Sequence, residues 1–454
     1  MVVDFMHRAW EGDPNALAVV FGKTSCSYGR LLDRYRSLGT YLKTSGITPG
    51  KVVGLKGDFT PGAIALLLAL IDNRSIVVPF TTASQKSDEI KAHVAQLEGM
   101  LEVERETDEV DYFPLDGHAD HPYYARVRDA GTPGLVLFTS GTSGEPKGAV
   151  HDFSKLLEKF KTRRPALRTL NFLLFDHWGG LNTLFHTLSN AGQVLATGDR
   201  SPDGVCALIE QHRVELLPTS PTFLNLLLLS EAYTRHDLSS IRVITYGTEP
   251  MPLNTLRRVK ELFPEAKLQQ TYGLIELGVL RSRSKSDDSL WVEVGGDGYQ
   301  TRVVDGILQI KAESAMLGYL NAASPFTDDG YFVTGDMVEV EGSHIKIIGR
   351  KSEIINVGGE KVYPQEVEDA ILSFDNVADV IVHAERNLIT GNIVCAKVRL
   401  KHPEDAKAFS TRLKTFLRPR LRPYQMPIKI HVGDSIALSD RFKKMRANEE
   451  TPGA

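Results

Sequence analysis

Residues 135–150 read LVLFTSGTSGEPKGAV. Leu135 to Phe138 form a short apolar run of the kind that becomes a buried strand. It opens into Thr139-Ser140-Gly141-Thr142-Ser143-Gly144, where nearly every side chain is a hydroxyl or a hydrogen. Small residues let backbone N–H groups approach an anion closely, and hydroxyls add further donors. Pro146 stiffens the exit and Lys147 supplies a cation at short range. The stretch therefore reads as a cradle for phosphate. It is not a Walker A loop, which requires Gly-Lys-Ser/Thr after four spacers; here Glu145-Pro146 precede the lysine and Gly148 follows it.

Outward from this loop the chain alternates. Leu17 to Ser45 suggests a hairpin-like start and then a helix with Leu31, Leu32, Tyr35, Leu38 and Leu42 at helical spacing. Val52 to Leu55 reads as a strand, Pro61 to Ile71 as a helix and Ile76 to Pro79 as a strand, whereas acidic Glu102 to Asp120 reads as an exposed irregular connector. Beyond Lys147, Asp152 is placed to cap a helix. Leu170 to Phe175 is expected as a strand, Leu181 to Leu188 as a helix, Val194-Leu195 as a strand, and Ile241 to Ile244 as another. Such alternation predicts parallel α/β sheets. From about Leu290 to Ile348, short apolar runs with Gly and Asp turns predict a β-rich module. A boundary is expected after Gly349-Arg350, giving a large domain over 1–350 and a small α+β domain over 351–454. The small domain contains a βαβ-like set at Val377 to Val382, Ile393 to Leu400, Asp405 to Leu417 and Lys429 to Val432.

The 454 residues suffice for two or three domains. Apolar content of 42% and charged content of 24% are those of a soluble globular protein. With 53 basic and 57 acidic residues, the net charge of −4 gives no basic excess pointing to nucleic acid or an anionic membrane. Cys26, Cys206 and Cys395 have neither metal spacing nor a disulfide framework, so a reducing cytoplasm is expected. No signal peptide is apparent, and the longest apolar run, Ala63 to Ile71, is too short to span a bilayer. The sequence also lacks a Gly-x-Ser-x-Gly elbow, which argues against a serine hydrolase.

Further polar blocks punctuate the chain. They are Asp176-His177-Trp178-Gly179-Gly180, Tyr246-Gly247-Thr248-Glu249-Pro250 and Gln270-Thr271-Tyr272-Gly273-Leu274-Ile275-Glu276, then Thr334-Gly335-Asp336. Gly349-Arg350-Lys351-Ser352-Glu353 leads on to Gly358-Gly359-Glu360-Lys361, and the tail carries Ile436 to Arg446 with Lys443 and Lys444. Taken singly, each has an ordinary reading: a strand-to-helix loop, a solvated glutamate, a Gly-Asp turn, a basic C-terminal patch.

Their order resembles the adenylate-forming superfamily, which includes acyl- and aryl-CoA ligases, peptide-synthetase adenylation domains and firefly luciferase. In that family a carboxylate attacks the α-phosphate of ATP, giving acyl-AMP and pyrophosphate, and a thiol then takes the acyl group. The resemblance implies that Thr139, Ser140, Gly141, Thr142, Ser143 and Lys147 hold the phosphates. Gly247, Thr248, Glu249, Tyr272 and Gly273 would surround the adenine. Glu276 would hold Mg²⁺, a hard cation suited to a carboxylate. Asp336 would accept from the ribose hydroxyls and Arg350 would contact the nucleotide. Gly358 and Gly359 would flank the thiol tunnel after the small domain turns, a hinge closure that swaps the residues facing one site. Lys443, with Lys444 as rival, would neutralise charge as the carboxylate attacks. His177 would gate or line the acid pocket, with Trp178, Phe223, Tyr246, Gly247 and Leu277 around it.

The chain departs from the family pattern in several places. Ile275 stands where relatives carry a hydroxyl on the α-phosphate, a donor worth about 1–3 kcal/mol if its loss is uncompensated. Ser352 stands at the hinge position, and Ala437, Ser439 and Phe442 replace Pro, Thr and Gly in the tail. The resemblance implies an ATP-dependent acid–thiol ligase using Mg²⁺ and coenzyme A, with a small aromatic or medium-sized acid as substrate. A free carrier-protein pantetheine as acceptor, and a nucleotide-binding protein with impaired turnover, remain the alternatives.

Overall fold

The computed structural model describes residues 1–82, 87–139, 145–296, 298–388 and 390–436. Helix Pro61–Asp72 is apolar all round because it is buried all round, and its ends explain themselves. Thr60 caps it by accepting from the Ala63 N–H, Pro61 opens it, and Asp72 and Asn73 close it. Its side chains share one core with Val19 and Phe21 of one sheet and with Val53, Leu55 and Val77 of another. The run that was too short for a membrane is thus the filling between two sheets.

The first of these sheets runs Gly318–Tyr319, Lys147–Asp152, Gly134–Thr139, Ile76–Thr81, Val52–Gly57, Gly99–Val103, Val110–Pro114. Its centre is parallel and its margins are antiparallel. The second runs Lys267–Gln270, Val243–Tyr246, Leu216–Thr219, Arg168–Leu170, Gln193–Ala196, Leu17–Phe21, Thr24–Ser27, and is parallel except for the terminal hairpin. A third, six-stranded antiparallel sheet lies between Arg281 and Arg350. After Arg350, residues build a separate core: helices Pro364–Leu372 and Ala406–Leu417 pack on a sheet whose longest strands are Val377–Asn387 and Gly391–Leu400. Strand Lys429–Val432 pairs parallel to Gly391–Leu400 across helix Ala406–Leu417, a true βαβ unit, whereas Val377–Asn387 pairs antiparallel. The mixed α/β fold with a β-rich module and a small α+β part is the one expected.

Three local expectations need correction. Glu102 to Asp120 is an exposed connector, as expected, except that it carries the end of one strand and the whole of another. Gly99–Val103 and Val110–Pro114 form an antiparallel pair at the sheet margin with Glu102 opposite Asp111, and the acidic turn between them dominates a charge count of the segment. Leu170 to Phe175 is a strand only to Leu170. Beyond it Phe172 packs on Phe223 in one core while Phe175 meets Phe59 in another, so the apolar run is a buried connector divided between cores. The antiparallel module begins at Arg281 rather than Leu290.

Candidate active site

Strand pairing assembles the site. Gly134–Thr139 and Lys147–Asp152 pair antiparallel with Thr139 opposite Lys147, so the glycine-rich turn joins two residues already held face to face. Ser140, Gly141, Thr142 and Ser143 lie outside the described residues. Phe332–Glu341 and His344–Arg350 pair with Asp336 opposite Arg350. The Arg350 Nε lies 3.2 Å from Asp336 Oδ1. The Tyr272 hydroxyl donates to Asp336 Oδ2 at 2.6 Å, and Thr334 Oγ1 accepts from the Asp336 N–H at 3.0 Å. Burial, then Asp336, pushes the Tyr272 phenol well above its ordinary range, so it stays a donor. Gly335 has φ +76°, a backbone that glycine accepts without strain.

Glu276 sits in the turn between the paired strands Gly273–Leu274 and Gly278–Val279. Its carbonyl accepts from the Met316 N–H at 2.8 Å, and its carboxylate accepts from the Tyr319 hydroxyl. Burial, then Glu276, raises that phenol in turn. The Lys147 ammonium lies 5.8 Å from the Tyr319 ring centre. Gly247 packs so closely that a Cβ would stand 2.5 Å from Thr271 Oγ1 and 2.6 Å from Thr271 O. Thr248 adopts φ +74°, and the Glu249 carboxylate accepts from the Thr222 N–H at 2.8 Å. His177 caps helix Trp178–Ser189, its Nδ1 accepting from the Gly179 N–H at 3.0 Å.

These residues surround one cleft of about 1530 Å³. Thr139, Lys147, His177, Trp178, Gly247, Thr248, Glu249, Tyr272, Gly273, Glu276, Asp336 and Arg350 all line it. The small C-terminal unit closes one side with Gln365, Glu368 and His383.

Other expected positions lie elsewhere. Phe223 is fully buried with its ring 4.3 Å from that of Phe172, and Tyr246 and Leu277 are buried in cores; among the described residues these three do not line the cleft. Their apolar character is spent on packing, and neighbours one position away (Thr222, Thr245 and Glu276) face the opening. Gly358 and Gly359, at φ +59° and +92°, form the tip of hairpin Ile355–Val362 with open space around each, outside the cleft. Lys443 and Lys444 lie outside the described residues.

Two participants went unread. Tyr319 supports Glu276, and Asn321 clasps the exit of the glycine-rich turn, its amide donating to Pro146 O at 3.0 Å and accepting from the Gly148 N–H at 3.1 Å. Neither belongs to a motif block; strand Gly318–Tyr319 reaches the loop only by pairing with Lys147–Asp152.

Comparison with known proteins identifies the family and the fold. The family model described as AMP-binding enzyme matches residues 6–320, and that described as AMP-binding enzyme C-terminal domain matches residues 366–443. The chain is 26% identical to an indoleacetate–CoA ligase of Aromatoleum aromaticum, over 92% of this chain and 91% of that protein. It is 24% identical to a 2-succinylbenzoate–CoA ligase of Bacillus pumilus, over 99% and 97%. In fold it is similar to the anthranilate CoA ligase AuaEII in complex with anthranoyl-AMP, with TM-score 0.82, 18% identity and 98% and 95% coverage. It is also similar to ATP-bound MatB from Rhodopseudomonas palustris, with TM-score 0.80, 21% identity and 97% of each chain covered. The chain belongs to the AMP-binding enzyme family, within the adenylate-forming superfamily.

Proposed function

We propose that this protein is an AMP-forming acid–thiol ligase. A carboxylate oxygen attacks the α-phosphorus of ATP and pyrophosphate leaves. The thiol sulfur of coenzyme A then attacks the acyl carbon, AMP leaves, and the thiol proton passes to solvent. Curated relatives that match nearly end to end carry CoA-ligase names. The observation that carries the reading is the convergence on one cleft of a Lys147-bearing loop, a supported Glu276 and a buried Asp336 bonded to Tyr272 and Arg350.

Each residue has work it can do. Asp336, held by Tyr272 and Arg350, presents a carboxylate, the acceptor type that suits the hydroxyls of a vicinal diol. Lys147 and Thr139 face the phosphates. Arg350, about half exposed, reaches past Asp336 into the cleft. Glu276 fits Mg²⁺, because that ion takes one or two carboxylates together with phosphate oxygens and water. When bound, the ion would offset the charge of the triphosphate. The acid would enter beside His177 and Trp178, where Asn182, Thr183 and Thr219 also line the wall. Such a mixed wall favours a compact acid over a long hydrocarbon chain.

We place the protein in the cytoplasm, in keeping with three buried free cysteines; among the described residues no helix is long and apolar enough to cross a membrane. ATP–pyrophosphate exchange over a panel of aryl and short to medium acids, followed by coenzyme A, tests the assignment. Exchange followed by thioester supports it. Exchange with thioester only on a holo-carrier protein changes the acceptor, and ATP binding without exchange for any acid overturns it in favour of a binding protein.

A further inference from the structure

On the small domain, His383 and Glu385 lie two residues apart on strand Val377–Asn387 and so share a face. Cys395 stands opposite His383 on strand Gly391–Leu400, and Lys429 stands opposite Cys395 on the next strand. The helices of this unit pack on the other face, that of Val380, Val382, Val394 and Ala396. His, carboxylate and thiolate are a donor set suited to a borderline-soft ion.

The spacing suits it too. The His383, Glu385 and Cys395 donor atoms all lie within 4.8 Å of one another, and His383 Nε2 is 3.6 Å from Glu385 Oε1. At metal–ligand distances of about 2.0–2.3 Å, two ligands of a tetrahedral ion stand about 3.3–3.8 Å apart. Lys429 engages the other oxygen of Glu385, Oε2, which leaves Oε1 for the ion. Cys395 is fully buried, while His383 and Glu385 are partly open, His383 toward the cleft.

We propose that His383, Glu385 and Cys395 form a binding site for a zinc-like divalent cation, with water as the fourth ligand. A cysteine coordinates as its thiolate. Binding therefore breaks the S–H bond, and the proton leaves to buffer as the metal–sulfur bond forms.

The test is a Co²⁺ titration of the untagged full chain after chelation. The expected result is one equivalent bound, with tetrahedral visible bands and a near-ultraviolet thiolate-to-cobalt band, both lost on adding Zn²⁺. Cys395→Ser removes the thiolate band, and His383→Gln weakens the visible bands. Absence of the thiolate band from the parent chain, or its survival in Cys395→Ser, overturns the proposal. Should Cys395→Ser not fold, Lys429→Gln decides. Removing the competitor for Glu385 shifts the titration to lower cobalt if the site is real, and no shift or a shift to higher cobalt overturns it.

Discussion

At the scale of single residues, Asp336 concentrates most of the cleft's polar geometry, since Tyr272, Arg350 and the 332–341 strand all meet there. Asp336→Asn keeps the shape but removes the charge and leaves Arg350 without that carboxylate. A hydrogen bond to a charged group is worth about 1.5–3 kcal/mol, so KM for ATP is expected to rise roughly 10- to 150-fold. Pyrophosphate release against ATP concentration measures it, and an unchanged KM removes Asp336 from the nucleotide site. His151 makes a different prediction. It is fully buried on strand Lys147–Asp152, and neither ring nitrogen makes a hydrogen bond of normal geometry among the described residues. Burial lowers its pKa to about 4, against smaller opposing effects from the Ile275 and Ser314 backbone and from Asp152. Unfolded, it would take up a proton near 6.5. The unfolded state therefore binds more protons between these values, and stability falls as pH drops from about 6.5 toward 4. His151→Leu is expected to remove up to about 3 kcal/mol of that acid loss. Urea unfolding at neutral and acid pH compares the two proteins; an equal loss in both assigns the sensitivity elsewhere, His186 being the next candidate because burial lowers it too.

Among the elements, the hairpin Gly134–Thr139 and Lys147–Asp152 matters most, because it sets where the glycine-rich turn begins and ends. Asn321 clasps its return strand with two hydrogen bonds from a different part of the chain. Asn321→Ala gives up both, at roughly 1–2 kcal/mol, and is expected to raise KM for ATP about 5- to 30-fold with kcat less affected. Amide exchange at Gly148 should quicken in parallel; unaltered exchange and KM would make the clasp irrelevant to the loop. The hairpin's first strand was legible because Leu135 to Phe138 is a short apolar run opening into a hydroxyl-rich turn, and helix Pro61–Asp72 because it is an unbroken apolar run, whereas the return strand Lys147–Asp152 went unread. Asn321 was not legible, since its partners lie about 175 positions away and pairing that distant leaves no local period. Phe223, Tyr246 and Leu277 fail for a related reason. Residue type says that a side chain is buried, but only the packed fold says whether it is buried against a core or against a substrate. Asp336 and Arg350 lie between these cases: both were visible as motif residues, and their contact follows from a strand register that turn spacing alone does not reveal.

For the whole molecule, the question is how one cleft serves two half-reactions. The small domain meets the large one through modest contacts, Asn254 Nδ2 donating to Leu372 O at 3.2 Å and Asn225 Nδ2 to Ala378 O at 3.4 Å. In this arrangement Gln365, Glu368 and His383 border the cleft while the Gly358-Gly359 tip is not part of its lining. A thiol tunnel flanked by those glycines therefore needs the small domain to turn, a rigid-body change that exchanges one set of facing residues for another. We propose that Lys443 serves the adenylating step, on its place in the tail motif. Its ammonium would count only while negative charge builds between the carboxylate and the α-phosphate, where removing one such group costs about 100- to 1000-fold in rate. Lys443→Ala is thus expected to suppress acyl-AMP formation by that factor while thioester formation from supplied acyl-AMP and coenzyme A proceeds near the parent rate. Single-turnover assays of the two steps separate the outcomes. Equal loss in both would mean that this lysine serves the fold or the hinge, and loss seen only with Lys444→Ala would move the role one residue along the chain.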